Sequence, residues 1–112
     1  MIVEENVVLC GSSAYEKKYY LNPEFDSLPD SVKDELKIMC VLFTEDVGGV
    51  LTLEYEEDGT LEFKVMCDEY DALYDDIGSA LKIKQIQKEK RELLRSLELF
   101  YKVFVLGEEV EE

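Results

Sequence analysis

The chain has no histidine and no tryptophan, only two prolines and six glycines, and few basic groups: 12 Lys and Arg stand against 27 Asp and Glu. Each scarcity removes a class of function. Without histidine there is no Ser-His-Asp or Cys-His nucleophilic system, no His-ligated zinc and no two-histidine, one-carboxylate iron site. Cys10, Cys40 and Cys67 are widely spaced, with no C-x-x-C pair. Three thiolates make a poor zinc site, and an odd number argues against a disulfide framework. The expected state is buried or half-buried free thiols in a reducing cytoplasm. Gly48-Gly49 lacks both the further glycine and the lysine of a phosphate loop, so no cofactor is expected. No stretch reaches the ~18 apolar residues of a membrane span. The opening MIVEENVVLC is acidic where a secretory signal is basic, so a cytoplasmic location is expected.

What is present suits one core. The 112 residues are 46% hydrophobic with 12 aromatics, which fits a single domain over 1-112 with residues 1-5 and 107-112 frayed. The net charge of −15 repels nucleic acid and anionic membranes, which leaves basic proteins, basic peptides or cations as electrostatic partners.

The clearest local signal is central. Leu51, Leu53 and Tyr55 alternate with polar residues, and so do Leu61, Phe63, Val65 and Cys67. A two-residue turn at Asp58-Gly59 would set Leu53 opposite Lys64, mixing apolar and charged side chains on one face. A three-residue loop with Gly59 left-handed instead pairs Tyr55 with Leu61, Leu53 with Phe63 and Leu51 with Val65. The three-residue loop is the expected one.

Before this hairpin, Pro29-Asp30-Ser31 opens a helix with Ser27 or Ser31 as N-cap. Val32, Leu36, Met39, Cys40, Phe43 and Val47 mark its core face, and Gly48-Gly49 ends it. The run Ile38 to Phe43 is apolar nearly all round, which predicts a buried helix. After the hairpin, a short helical piece reaches Ile77 and breaks or bends at Gly78-Ser79. A long helix from Ala80 to Val105 then carries a stripe at 83, 86, 90, 93, 97, 100 and 104, interrupted by Lys90 and packing on the sheet. Val7 to Cys10, a Gly11-Ser12-Ser13 turn and Tyr15 to Leu21 read as another hairpin. The sum is an α+β fold, an antiparallel sheet of two hairpins with helices packed on it, in the order ββαββα(α).

Charge is segregated. Residues 82 to 95 hold six basic and two acidic side chains, a local +4, so the other 98 residues carry −19. No aromatic interleaves among Lys84, Lys88, Arg91 and Arg95, and with Lys82 they do not all share one face, so nucleic-acid binding is not expected. The basic segment is expected to balance acidic groups of its own chain or of a second copy. Tyr15, Tyr19 and Tyr20 read equally well as an interaction patch or as a cap on one end of the core. The cluster Asp68, Glu69, Asp71, Asp75 and Asp76 fails the EF-hand pattern and fits carboxylates at a helix start. Glu54 and Glu62 face each other across the hairpin, with no cleft implied beside them.

The segments Leu9-Cys10-Gly11, Ala14 to Tyr20, Val32 to Glu45, Ile77-Gly78-Ser79, Leu81 to Gln85 and Phe100 to Phe104 resemble a family of small acidic bacterial proteins of Gram-positive anaerobes, a domain of unknown function. The resemblance implies a bacterial, cytoplasmic, single-domain protein and brings no activity or ligand. The residues themselves point to a non-enzymatic, soluble protein-interaction module, a homodimer or the partner of another protein. The possible interaction surface is Tyr15, Tyr19, Tyr20, Lys84, Lys88, Arg91 and Arg95. Two alternatives are an acidic decoy mimicking nucleic acid at another protein's basic site, and a carboxylate-metal enzyme around 68-76 or Glu54 and Glu62. No catalytic residue and no metal ligand is assigned.

Overall fold

The computed structural model describes residues 6-108; the fraying expected for 1-5 and for 109-112 lies outside the described residues. Four strands form one antiparallel sheet: β1 (Val7–Ser13), β2 (Lys18–Leu21), β3 (Val50–Tyr55) and β4 (Leu61–Met66), in the spatial order β2-β1-β3-β4. A 3-10 turn (Pro23–Phe25) leads from β2 to helix α1 (Asp30–Val47), and two helices, α2 (Asp76–Glu89) and α3 (Arg91–Phe104), follow the sheet. The α+β class, the two hairpins and the element order are as the sequence predicts.

The central hairpin has the expected register. Tyr55 lies opposite Leu61, Leu53 opposite Phe63 and Leu51 opposite Val65. Gly59 takes φ 90° and donates its N–H to the Glu56 carbonyl at 2.9 Å, while the Glu56 N–H reaches the Thr60 carbonyl at 2.8 Å. Leu51, Leu53 and Tyr55 are fully buried. Their face meets α1 and α3: the Tyr55 ring stacks on Tyr101 with centroids 4.1 Å apart, and its hydroxyl donates to the Leu97 carbonyl at 2.9 Å.

Five local expectations are corrected. Gly11-Ser12-Ser13 is not a turn; it completes β1, and the turn falls at residues 14-17 with Lys17 left-handed at φ 53°. The reason is close approach, because a Cβ on Gly11 would lie 2.8 Å from the Leu51 carbonyl oxygen on β3. The second strand accordingly starts at Lys18, not Tyr15. The N-cap of α1 is Pro29, with no side-chain cap, rather than Ser27 or Ser31; buried Leu28 anchors the entry and the Pro29 carbonyl accepts the Val32 and Lys33 N–H groups.

The last two corrections concern the helices. α1 buries only one face, Leu36, Met39, Cys40, Phe43 and Val47, and leaves Ile38 and Leu42 59% and 53% exposed. Gly78-Ser79 does not break a helix. Asp75 is the N-cap of α2 and accepts the Gly78 N–H at 2.8 Å, where a Cβ would collide with its carboxylate. The break is at Lys90, φ −106° and ψ 22°, which ends α2 and begins α3. Ile83, Ile86, Leu93, Leu97 and Phe100 of the expected stripe pack on the core, joined past the kink by buried Leu94 and Tyr101, whereas Phe104 is 74% exposed.

Candidate interaction surface

The scarce cations divide by what they touch. Lys33 bridges to Asp26 and Asp30, and Lys64 to Glu54. From α2, Lys82 reaches Asp46 at 2.9 Å, and Lys90 at the kink reaches Glu35 at 3.4 Å. Both of those acids sit on α1, so two members of the basic segment balance acidic groups of their own chain. The other four, Lys84, Lys88, Arg91 and Arg95, make no ion pair among the described residues and are exposed.

The two bridges also show how the helices run. Asp46 near the end of α1 meets Lys82 at the middle of α2, while Glu35 near the start of α1 meets Lys90 just past the end of α2, so the helices run antiparallel. Eleven residues separate Glu35 from Asp46, roughly 16 Å along the axis at ~1.5 Å per residue. Between the bridges lies a groove of about 270 Å³ lined by Ile38, Met39, Leu42, Gln85 and Ile86 among others. On α2, Leu81, Lys84, Gln85 and Lys88 are spaced i, i+3, i+4 and i+7 and form one stripe beside it. Leu81 is 63% exposed. The surface therefore has an apolar centre, ion pairs at both ends and free ammonium groups along one side.

Its two helices differ in charge. α1 carries Asp30, Asp34, Glu35, Glu45 and Asp46 against Lys33 and Lys37. α2 carries Lys82, Lys84 and Lys88 against Asp76 and Glu89. At the kink, Lys88, Arg91 and Ser96 line an open depression of about 470 Å³ with Glu35, Glu89 and Glu92, so cations and carboxylates interleave there.

The three tyrosines do not come together. Tyr15, in the β1–β2 turn, donates to the Asp71 carboxylate and accepts the Asp68 N–H at 2.9 Å, tying the turn to the 68-75 loop. The hydrogen bond to Asp71 raises its hydroxyl's pKa. Tyr19 points inward beside Cys10 and Cys40, with a buried hydroxyl that makes no hydrogen bond of ordinary geometry; burial first, then the two thiols, pushes its pKa up. Tyr20 lies on the opposite face of the sheet, 53% exposed. Cys10 and Cys40 are buried with sulfurs 3.8 Å apart, whereas Cys67 is exposed, contrary to the expectation that all three thiols are at least half-buried.

The acidic features resolve into local bonding. Asp71 serves Tyr15 and the Leu73 N–H, and Asp75 caps α2. Glu54 and Glu62 are opposite each other as expected; Glu54 accepts the Thr52 hydroxyl at 2.8 Å and meets Lys64, and Glu62 accepts from Asn6. Among the described residues no group of three or more Cys, Asp or Glu is arranged to hold a metal ion. No described helix is long and apolar enough to cross a membrane.

Sequence reasoning missed this surface because it takes two distant segments to make it. Ile38 and Leu42 look like core in a helix apolar all round, and their exposure follows only once α2 is seen to cover the neighbouring face of α1. A family of unknown function (DUF6145) has a model that matches residues 6–109, and the chain belongs to that family. No curated protein matches, and no solved structure does.

Proposed function

We propose that this member of the family is a non-enzymatic interaction module that forms a homodimer through the α1–α2 surface. The observation that supports the reading is the set of exposed apolar side chains, Ile38 and Leu42 on an acidic helix and Leu81 on the more basic one packed beside it. A twofold axis running parallel to both helices sets α1 of one copy on α2 of the other. That arrangement buries the apolar centre against itself and brings Lys84 and Lys88 toward the carboxylates of the partner's α1. An apolar core with a polar rim is the usual anatomy of a protein interface, and an isologous contact uses one patch twice. The other twofold, α1 on α1, would oppose like charges and is disfavoured. The exposed Cys67 fits a reducing compartment, in which an unpaired surface thiol stays free.

Sedimentation equilibrium at micromolar concentration tests the proposal. It predicts twice the mass of the 13.0 kDa chain. Raising salt from ~0.05 to ~0.5 M should weaken association several-fold, because the rim charges are screened. A single 13.0 kDa species at high concentration overturns it.

A further inference from the structure

Lys17, Lys18 and Lys37 also make no ion pair among the described residues. All three border one cavity of about 890 Å³ between the β1–β2 hairpin and the C-terminal half of α1. Lys18 opens the edge strand β2 at the cavity's rim, and Lys17 sits in the β1–β2 turn with φ 53°, the one positive φ outside glycine among the described residues. That conformation is disfavoured for a residue with a Cβ, and here it sits where it gathers charge of the sign this chain has least of.

The remaining wall is mixed. Val41, Val47 and Leu73 supply apolar surface, and the Tyr19 ring borders it while its hydroxyl turns away into the core. Ser12 and Thr44 are occupied with each other at 2.8 Å. Two carboxylates also line the cavity, Glu45 and Asp46, of which Asp46 is engaged by Lys82. The volume falls in the range of small-molecule sites, which combine apolar walls with a few placed polar groups. The cavity shares no lining residue with the α1–α2 groove.

We propose that this cavity binds a small organic anion, a carboxylate or phosphate carried on an apolar body, with Lys17, Lys18 and Lys37 holding the charge and Val41, Val47 and Leu73 the body. In a chain of net charge −15, long-range attraction does not bring an anion to the surface, so selectivity rests on these three groups acting at close range.

The experiment is an amide chemical-shift titration of the full chain with octanoate and with octyl phosphate, alongside octanol and inorganic phosphate. Shifts confined to Ser12–Tyr19 and Lys37–Gly48 with one or both amphipathic anions, and much weaker effects from octanol and from phosphate alone, support the proposal and identify the preferred head group. The K17Q/K37Q variant, changed only at exposed positions, should keep the wild-type spectrum and lose at least about tenfold in affinity, since each charged contact is worth about that factor. Octanol binding as tightly as octanoate, shifts mapping to Lys84–Arg95 instead, no saturable shift at millimolar anion, or unchanged affinity in K17Q/K37Q would each overturn it.

Discussion

Replacing Leu42 by lysine or by glutamate tests both the surface and its orientation, because the two variants differ only in sign. Fully burying a leucine side chain is worth about 1.5–3 kcal/mol. Leu42 is 53% exposed in the single chain, so closing the interface over it yields roughly half of that. A twofold dimer contains the residue twice, which brings the loss to about 2–3 kcal/mol for either substitution, or a dissociation constant ~30- to 150-fold weaker. The sign then separates them. Leu42→Lys puts a cation against the partner's basic α2 stripe, Lys84 and Lys88, and should weaken the dimer further. Leu42→Glu puts a carboxylate there and should recover part of the loss. Within the single chain the preference runs the other way, since position 42 precedes Glu45 and Asp46 by three and four residues, where lysine supports the helix and glutamate repels. The less stable monomer should therefore form the tighter dimer. Sedimentation equilibrium gives the dissociation constants and thermal melting at low concentration the monomer stabilities. Leu42→Glu disrupting the dimer as much as Leu42→Lys, or neither changing it, would refute the reasoning.

Three further outcomes follow from the interior. Burial raises the pKa of Tyr55, and burial with the neighbouring thiols raises that of Tyr19, so the folded state keeps protons that the unfolded chain releases above about pH 10. Unfolding free energy should be flat in this respect between pH 7 and 9 and fall as pH rises past ~10, with Tyr55→Phe reducing the slope in denaturant titrations taken at each pH. Asp75→Ala removes the cap on the Gly78 N–H and should cost about 1 kcal/mol in urea denaturation, with Asp75→Asn recovering most of it. Thiol titration with an aromatic disulfide should find one fast group, Cys67, and two that react only on unfolding, Cys10 and Cys40; three fast groups would mean that β1 and α1 do not pack as described.

The β3–β4 hairpin was legible in the sequence because its pattern has period 2, and a one-residue slip would have put Lys64 on the core face. The helices of the element order were legible from apolar residues recurring about every 3.6 residues. The helix break was not, because it falls at Lys90 rather than at glycine or proline, and nothing local to that residue marks it. Gly78 misled in the other direction. Its missing Cβ makes room for a capping carboxylate instead of ending a helix. Gly11 is a similar case, where the bare backbone admits a neighbouring strand.

The site was legible in part. Lys84, Lys88, Arg91 and Arg95 could be singled out by charge, but only the fold shows that Lys82 and Lys90 are engaged while those four are not. Tyr15, Tyr19 and Tyr20 are close in sequence yet go to a loop tie, the core and the outer sheet face, because a tight turn and strand alternation send neighbours apart. Ile38 and Leu42 lie near the centre of a strongly apolar run, and nothing local tells which side of that run a second helix will cover.

Cysteine cross-linking between two chains tests the central claim most directly. Chains carrying L42C alone and Q85C alone, each with Cys67→Ser, are mixed and mildly oxidised, so that position 42 on α1 can find position 85 on a partner's α2. The proposed twofold predicts cross-linked dimer in the mixture and little in either chain by itself. Cross-linked dimer from L42C alone, or monomer throughout, would contradict it.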